Sequence, residues 1–479
     1  MATLPVTDRR LFWRNFDRRY HAAHPGLGHM RRNIWELPHW MTWLGGVLQD
    51  QGYTNFDVLE FYSSECALGG VNVDHVMASL RANPADVYLF SPMTPNLAFA
   101  YEIADLTKLL YPDVKIVFGG IVATPLREQV ASHVSVDYVV HGRGEYALPD
   151  LLDALRGKKA LTDVGNLCFA RDNGEVVTTP TIYPRMAPAD LPFPKVDMFP
   201  ADAGQDVRYL RVVHGLGCPY TCSFCTIQTI SQKSSYFPVK RVIDEIRAYR
   251  KRYGRHHNIY FGDELFTLNP ARTIELCEAL AREGDIGFDC QTRLNLLSDP
   301  DMLVAMKRGG CRWVEVGIEA FDQETQDLFK QRIRLGSIPD TLRRLQDSGL
   351  PACSFLVNGF PNQTPDDMRR SVDYVAELIQ SGLLQASYLF GLVPYPGSDL
   401  YQNPEKYGIE LHHHDYKLYH EDLPPVFSSP NATADEAFEA LLYGQRVLSD
   451  AMSTAPYFGE IAPDREHEDY GGFWQDSHV

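Results

Sequence analysis

Between residues 207 and 392, short apolar runs alternate with helix-like segments six times over, and nothing else in the 479-residue chain restricts its fold so tightly. A parallel strand pair needs a crossover long enough to hold a helix, so repeated strand–helix units build a parallel sheet. Strands are expected at 208–214, 258–261, 287–291, 313–318, 352–358 and 385–390. Helices fall between them, for example at 239–253 and at 270–282. In the second, Asn269 precedes Pro270 as an N-cap precedes the first helical residue. Six units are too few for a closed eight-unit barrel, so a partial (β/α)6 barrel is the expectation for 207–392.

A second α/β series comes first. Helices are expected at 37–51, 74–81, 97–110 and 145–155, and strands at 56–62, 86–91, 115–120 and 136–141, with the initial strand placed at 11–13. Residues 1–160 therefore read as an open, Rossmann-like domain. Residues 161–206 read as a hairpin turning at Asp172-Asn173-Gly174, followed by a linker with Pro180, Pro184, Pro188, Pro192, Pro194 and Pro200. Residues 393–479 read as a mostly helical C-terminal region with room for substrate contacts. Thr433 and Glu436 stand there at capping-box spacing ahead of a helix at 434–448.

Charge narrows the partners. Asp and Glu total 62 against 45 Lys and Arg, a net charge of −17, which disfavours a nucleic-acid substrate. No apolar run reaches the roughly 18 residues of a membrane span, and the first residues are charged where a signal peptide is apolar. A cytoplasmic protein without membrane attachment is expected. Nine cysteines, an odd and sparse set, argue against a disulfide framework. Cys66, Cys168, Cys277, Cys290, Cys311 and Cys353 are scattered and read as small buried residues.

The other three are clustered. The first barrel strand runs into His214-Gly-Leu-Gly-Cys218-Pro-Tyr-Thr-Cys222-Ser-Phe-Cys225, a C-x3-C-x2-C spacing. Three thiolates on one loop hold three irons of a [4Fe–4S] cube and leave the fourth open. A structural zinc site would want a fourth Cys or His, and His214 lies before the loop at the strand end. The motif resembles that of the radical S-adenosylmethionine (SAM) superfamily. The resemblance implies a [4Fe–4S] cluster on Cys218, Cys222 and Cys225, with SAM on the open iron. It also implies reductive cleavage to a 5′-deoxyadenosyl radical, fed by an electron donor such as flavodoxin or ferredoxin. Phe224 matches the family's aromatic near the adenine. Phe261-Gly-Asp-Glu-Leu-Phe266 resembles the acidic segment that receives the SAM ammonium, through either Asp263 or Glu264. Arg293 resembles a partner of the SAM carboxylate or ribose, and Glu319 ends a strand similar to the ribose- and adenine-side strand. The turn Asn358-Gly-Phe-Pro-Asn-Gln-Thr364 resembles the family's Gly-x-Pro-x-x-Thr.

At the strand ends of the first domain stand Ser91-Pro-Met93-Thr94-Pro-Asn96, Gly119-Gly120-Ile-Val122-Ala-Thr124 and His141-Gly142-Arg-Gly144-Glu145. Ligands of open α/β sheets bind at such ends. The order of these loops resembles the cobalamin-binding domain that precedes the barrel in one radical SAM subclass. No Asp-x-His-x-x-Gly is present, and Asp74-His75 is adjacent and helical, so the resemblance implies cobalamin with no histidine on cobalt. His21, His24 and His29 remain candidates for its lower face. The implied function is cobalamin-dependent radical SAM C-methylation of a small molecule, free or on a carrier. The whole chain resembles methyltransferases of actinomycete antibiotic pathways. Oxidative cyclisation or rearrangement uses the same cofactors. A methylthiotransferase would need a second cysteine cluster, and only Cys66 and Cys168 precede the motif.

Overall fold

The structure is a computed structural model that describes residues 15, 19, 34–59, 72–182, 188–230, 233–254, 258–330 and 333–455. Its largest sheet is parallel throughout. In chain order the main elements of the structure are β1 (Ile34–Glu36), α1 (His39–Asp50), and, in the first unit, α2 (Val73–Ala82), β2 (Val87–Phe90), α3 (Leu97–Leu110), β3 (Lys115–Phe118), α4 (Gly120–Ala123), α5 (Arg127–Ala131), β4 (Tyr138–Val140), α6 (Gly144–Leu155), β5 (Leu167–Ala170) and β6 (Val176–Thr178). The second unit adds β7 (Val207–Val212), β8 (Gly215–Leu216), β9 (Ser235–Tyr236), α7 (Val239–Tyr253), β10 (Asn258–Phe261), α8 (Pro270–Glu283), β11 (Phe288–Arg293), α9 (Pro300–Arg308), β12 (Cys311–Glu319), α10 (Ile338–Asp347), β13 (Ala352–Asn358), α11 (Pro365–Gln380) and β14 (Ala386–Gly391). After them come β15 (Glu410–Leu411), β16 (Phe427–Ser428) and α12 (Ala434–Thr454).

The barrel sheet runs β1-β7-β10-β11-β12-β13-β14. Six of these strands are the expected ones, and consecutive strands pair in parallel. Side chains alternate along each strand. One set, including Leu210, Val212, Phe261, Cys290, Val316 and Leu389, packs against the helix layer in a single core with Leu276, Met306, Leu345 and Val372. The other set faces the lumen and is polar and aromatic: Tyr209, Arg211, Tyr260, Gln291, Glu315 and Tyr388. Asn269 caps α8 and the Thr433–Glu436 box opens α12, as their spacing predicts. That last helix continues to Thr454 and lies along α11 and β14. Gly444 permits the approach, since a Cβ there would stand 2.5 Å from Leu389 and 2.9 Å from Val372.

Two boundaries differ from the sequence reading. The strand β1 lies within the stretch assigned to the first domain, yet it pairs with β7 and extends the barrel sheet. The helix α1 follows it: His39 Nε2 lies 3.1 Å from Glu245 and Thr42 Oγ1 lies 2.9 Å from the Tyr249 hydroxyl, both on α7. Three residues of extended chain carry no periodicity that tells which sheet they join. The hairpin at 161–182 is likewise not a separate piece. Its strands β5 and β6 add antiparallel to β4 and complete the sheet β2-β3-β4-β5-β6. No strand forms over 56–59. The rest of the strand expected at 56–62, the one at 11–13, Cys66 and the residues after 455 lie outside the described residues.

In the first unit β2, β3 and β4 are parallel. Ile116 and Phe118 pack under α3–α5, and Val117 faces α6 on the other side. The segment after β14 joins the units. Val393, Tyr416, Tyr419 and Val426 complete the first unit's core, while Leu400, Ile409 and Phe427 pack with Phe329 and Phe360 of the barrel. No helix among the described residues is long and apolar enough to cross a membrane.

Candidate active site

The cysteine loop is launched from β7 by two acids at the end of β10. Asp263 is 1% exposed. Its Oδ2 accepts the His214 N–H at 3.0 Å, and its Oδ1 accepts the Gly215 N–H at 2.5 Å and lies 2.9 Å from His214 Nδ1. Three such partners satisfy a buried carboxylate. His214 is fully buried between the rings of Tyr236 and Phe266. It therefore serves Asp263 and stands apart from the thiols as a ligand. Glu264 is only half-buried, and its Oε2 accepts the Gly217 N–H at 2.9 Å. Burial pushes its carboxyl above the usual value. A cation arriving beside Glu264 would meet a half-buried carboxylate that has accepted one N–H, whereas Asp263 is buried and already holds three partners.

Cys218, Cys222 and Cys225 are free thiols, each half-buried. Burial, with Cys222 and Cys218 adding their charge, pushes Cys225 up to about 11, and burial raises Cys218 as well. The thiols thus stand close enough to feel one another, and iron would take up the charge that the apoprotein disfavours. Among the described residues no three His, Cys, Asp or Glu side chains converge as one metal ion requires. A cube gives each thiolate its own iron, so three grouped thiols that do not meet at a point fit it. Gln228 steadies the loop by donating to the Cys218 carbonyl at 3.0 Å.

Arg293 ends β11 against this loop. Its Nη1 lies 3.1 Å from Cys222 Sγ, its Nη2 donates to the Lys330 carbonyl at 2.9 Å, and its guanidinium sits 4.0 Å from the centre of the Tyr220 ring. It braces the Cys222 thiol, a place the sequence reading did not give it. Glu319 pairs with buried Lys330 at 2.5 Å. Its φ of +71° is the left-handed region that a non-glycine residue adopts at a cost of about 1–3 kcal/mol. Gly317 leaves the space, because a Cβ there would stand 2.8 Å from both charged groups. Phe224 meets Phe360 edge-on at 5.6 Å, in an apolar patch with Val357 and Leu392. Lys330, Tyr220 and Gln228 escaped the sequence reading. Lys330 lies eleven residues beyond Glu319 with no motif to mark it.

The three loops of the first unit do gather at the ends of β2, β3 and β4. Thr124 Oγ1 accepts the Gly142 N–H at 2.9 Å and donates to the Gly120 carbonyl at 2.7 Å, and the Asn166 amide donates to the His141 carbonyl at 2.9 Å. His141 is 3% exposed, and burial first and the charge of Arg127 second push its imidazole down to about 4. Its Nε2 is buried without a hydrogen-bond partner among the described residues, an orphan that a ligand's polar group would satisfy. Met93 and Asn96 are exposed, Ser91, Gly119, Gly142, Gly144 and Glu145 are half-buried, and Thr94 is buried. Val122 is 1% exposed, and the first turn of α4 turns its side chain into the sheet's core. His75 sits on α2, and His21, His24 and His29 lie outside the described residues.

Gly120 is the tightest point, with φ +86° and a Cβ position that falls on Ser91 Oγ. We expect Gly120→Ala to displace the 91–96 loop and lower cobalamin retention at least tenfold, while the cysteine cluster still assembles. Cobalamin absorbance per polypeptide after anaerobic gel filtration measures this, and unchanged retention would show that the loop does not bear on the cofactor. The loops face the barrel mouth. The charge of Arg143, ion-paired with Glu145 at 2.7 Å, acts on Glu264, and Pro125 and Thr229 both crowd Gly397, where a Cβ would lie 3.1 Å and 2.8 Å from them.

Residues 212–375 match the Radical SAM superfamily model and residues 36–152 match the B12 binding domain model. An uncharacterized methyltransferase of Pyrococcus horikoshii is 28% identical over 66% of this chain and 69% of its own length. The anaerobic magnesium-protoporphyrin IX monomethyl ester cyclase of Rubrivivax gelatinosus is 25% identical over 80% of this chain and 68% of its own. The radical SAM methyltransferase TsrM of Kitasatospora setae, solved with tryptophan substrate and a SAM analogue, shares the fold with a TM-score of 0.65 at 16% identity, covering 85% of this chain and 86% of that one. With a B12 binding domain ahead of a radical SAM domain whose three free thiols form a loop that fits a [4Fe–4S] cluster, the chain is a radical SAM enzyme with a cobalamin-binding domain, similar in sequence and fold to cobalamin-dependent radical SAM methyltransferases.

Proposed function

We propose that this enzyme methylates a carbon atom of a small molecule held at the mouth of the barrel between the cysteine loop and the 91–96, 119–124 and 141–145 loops. The observation that carries the reading is that Pro125, beside the 119–124 loop, and Thr229, four residues beyond Cys225, both crowd Gly397. The two cofactor regions thus flank one opening. When bound, the cluster and SAM supply one-electron chemistry, and cobalamin carries the methyl group. The chain's own residues bind and orient. Cys218, Cys222 and Cys225 hold the cluster, and Arg293 braces Cys222. Glu264 takes the SAM ammonium, while Asp263 and His214 lock the loop backbone. Phe224, Val357 and Leu392 offer the adenine an apolar surface, and the Glu319–Lys330 pair lines its ribose side. His141 Nε2, neutral at pH 7, hydrogen-bonds the cobalamin nucleotide portion. Residues 34–50 act with the barrel and residues 72–182 as the cobalamin-binding unit. A flavodoxin- or ferredoxin-type donor supplies the electron.

Substrates named for the relatives, a magnesium porphyrin ester and tryptophan, are small molecules. The cyclase relative also keeps ring closure in play, and one experiment separates the two. The reconstituted enzyme is incubated without oxygen with trideuteriomethyl-SAM, cobalamin, a reductant and a metabolite extract. The expected result is a metabolite that gains the intact labelled methyl group. A product that loses hydrogens and gains no label would replace methylation by cyclisation.

A further inference from the structure

The lumen beneath the proposed SAM site is neither apolar nor empty of charge, and the methylation chemistry does not use it. Glu315 stands at its centre on β12. The Tyr260 hydroxyl donates to Oε2 at 2.8 Å and the Tyr388 hydroxyl donates to Oε1 at 3.1 Å. Those tyrosines come from β10 and β14, two strands away on either side, so the carboxylate is hung between opposite walls. Both walls are flat rings. Tyr209 stacks on Tyr260 at 4.7 Å, and Phe355 stacks on Tyr388 at 5.1 Å, with Phe390 stacked 5.8 Å beyond. Gln291, Phe355 and Phe390 are half-buried, so the upper lumen is open to entry above Glu315. Arg211 is paired with Glu36, and its charge is the least of the influences on the Glu315 carboxyl.

We propose that this lumen is the substrate-selecting floor of the site, and that it takes a flat conjugated ring bearing an N–H donor, with the ring between the aromatic walls and the N–H on Glu315. This inference rests on the reading of the barrel mouth as the reaction site. Each Glu315 oxygen has accepted one hydroxyl and keeps a second lone pair. Burial first, and Asp289's charge among the lesser causes, push the carboxyl up to about 7 against the pull of the two tyrosines, so at pH 8 it is chiefly an acceptor. An N–H satisfies an acceptor that a ring oxygen of the same shape leaves unpaired. A site built to hydrogen-bond a donor rejects the analogue without it. Stacking walls add affinity without reading the heteroatom.

The test uses the full chain with cluster and cobalamin, at pH 8, and two isosteric probes, indole and benzofuran, in anaerobic titration calorimetry. Wild-type protein should bind indole about ten- to a hundredfold more tightly than benzofuran, the worth of one hydrogen bond to a charged group. Glu315→Gln should shrink that preference to about threefold or less, because the neutral amide accepts more weakly and turns a donor toward the lumen. Phe355→Leu should weaken both rings alike and keep the preference, which separates wall from floor and guards against a Glu315→Gln that misfolds. Equal binding of the two probes to wild type, binding of neither, or a preference that survives Glu315→Gln in a protein with normal cluster content overturns the proposal. The same wild-type preparation is assayed for 5′-deoxyadenosine. Its absence there counts against the reaction assigned to the mouth, and the probe preference reports on the lumen separately.

Discussion

Replacing any one of Cys218, Cys222 and Cys225 by alanine abolishes the [4Fe–4S] cluster and, with it, 5′-deoxyadenosine formation. Each thiolate serves its own iron, so one loss leaves two local ligands on a loop with no substitute nearby. His214 cannot step in, because it is buried and engaged by Asp263. Among the described cysteines the rest point elsewhere: Cys277, Cys290, Cys311 and Cys353 are buried in the barrel core and Cys168 in the first sheet. Cys277→Ala and Cys353→Ala should therefore keep full iron and sulfide content. Iron, sulfide and the visible absorbance of the anaerobically reconstituted variants decide the matter. A variant lacking one motif cysteine that still carries the wild-type iron content would sink the assignment.

The barrel and the cysteine loop were legible in the sequence for different reasons. The strands β10, β12 and β13 are buried on both faces and bounded by capped helices, so hydrophobic runs and N-cap chemistry both announce them. The cysteines are legible because their chemistry depends on a short local spacing. What was not legible depends on contacts between distant stretches. The pairing of β1 with β7 spans more than 170 residues, from Ile34 to Val207, and is decided by an open sheet edge. Val122 lies inside a loop string that otherwise reads as a ligand site, and only the turn of α4 shows that it faces the core. Arg293 carried a charge suited to a carboxylate, but its thiol partner is 71 residues away. Asp263 and Glu264 are adjacent and chemically alike. Only the burial of one and the half-exposure of the other assign them different tasks.

That difference gives two separable outcomes. Asp263 is held by His214 and two backbone N–H groups at the root of the cysteine loop. Asp263→Asn removes the charge and turns an amide N–H toward donors. Hydrogen bonds to a charged group contribute about 1.5–3 kcal/mol each, and a buried group left facing a like donor adds its own desolvation penalty. The expected result is a loose loop, with less cluster assembled per chain and a lower melting temperature. Glu264→Gln keeps the shape, the Gly217 N–H bond and the fully engaged Asp263. It should assemble the cluster normally and lose affinity for SAM by about ten- to a hundredfold, the worth of one charge-assisted contact at about 1.4 kcal/mol per decade. The pH dependence follows the same logic. Burial raises the Glu264 pKa, so the carboxylate that meets the ammonium is present above that raised value and lost as pH falls through it. Wild-type SAM affinity should therefore begin to weaken at a higher pH than an ordinary glutamate would dictate, and Glu264→Gln should show no such decline. Anaerobic titration of SAM into both reconstituted variants across pH reads all of this. If Asp263→Asn instead loses SAM with its cluster intact while Glu264→Gln binds SAM as wild type does, the roles of the two acids are reversed.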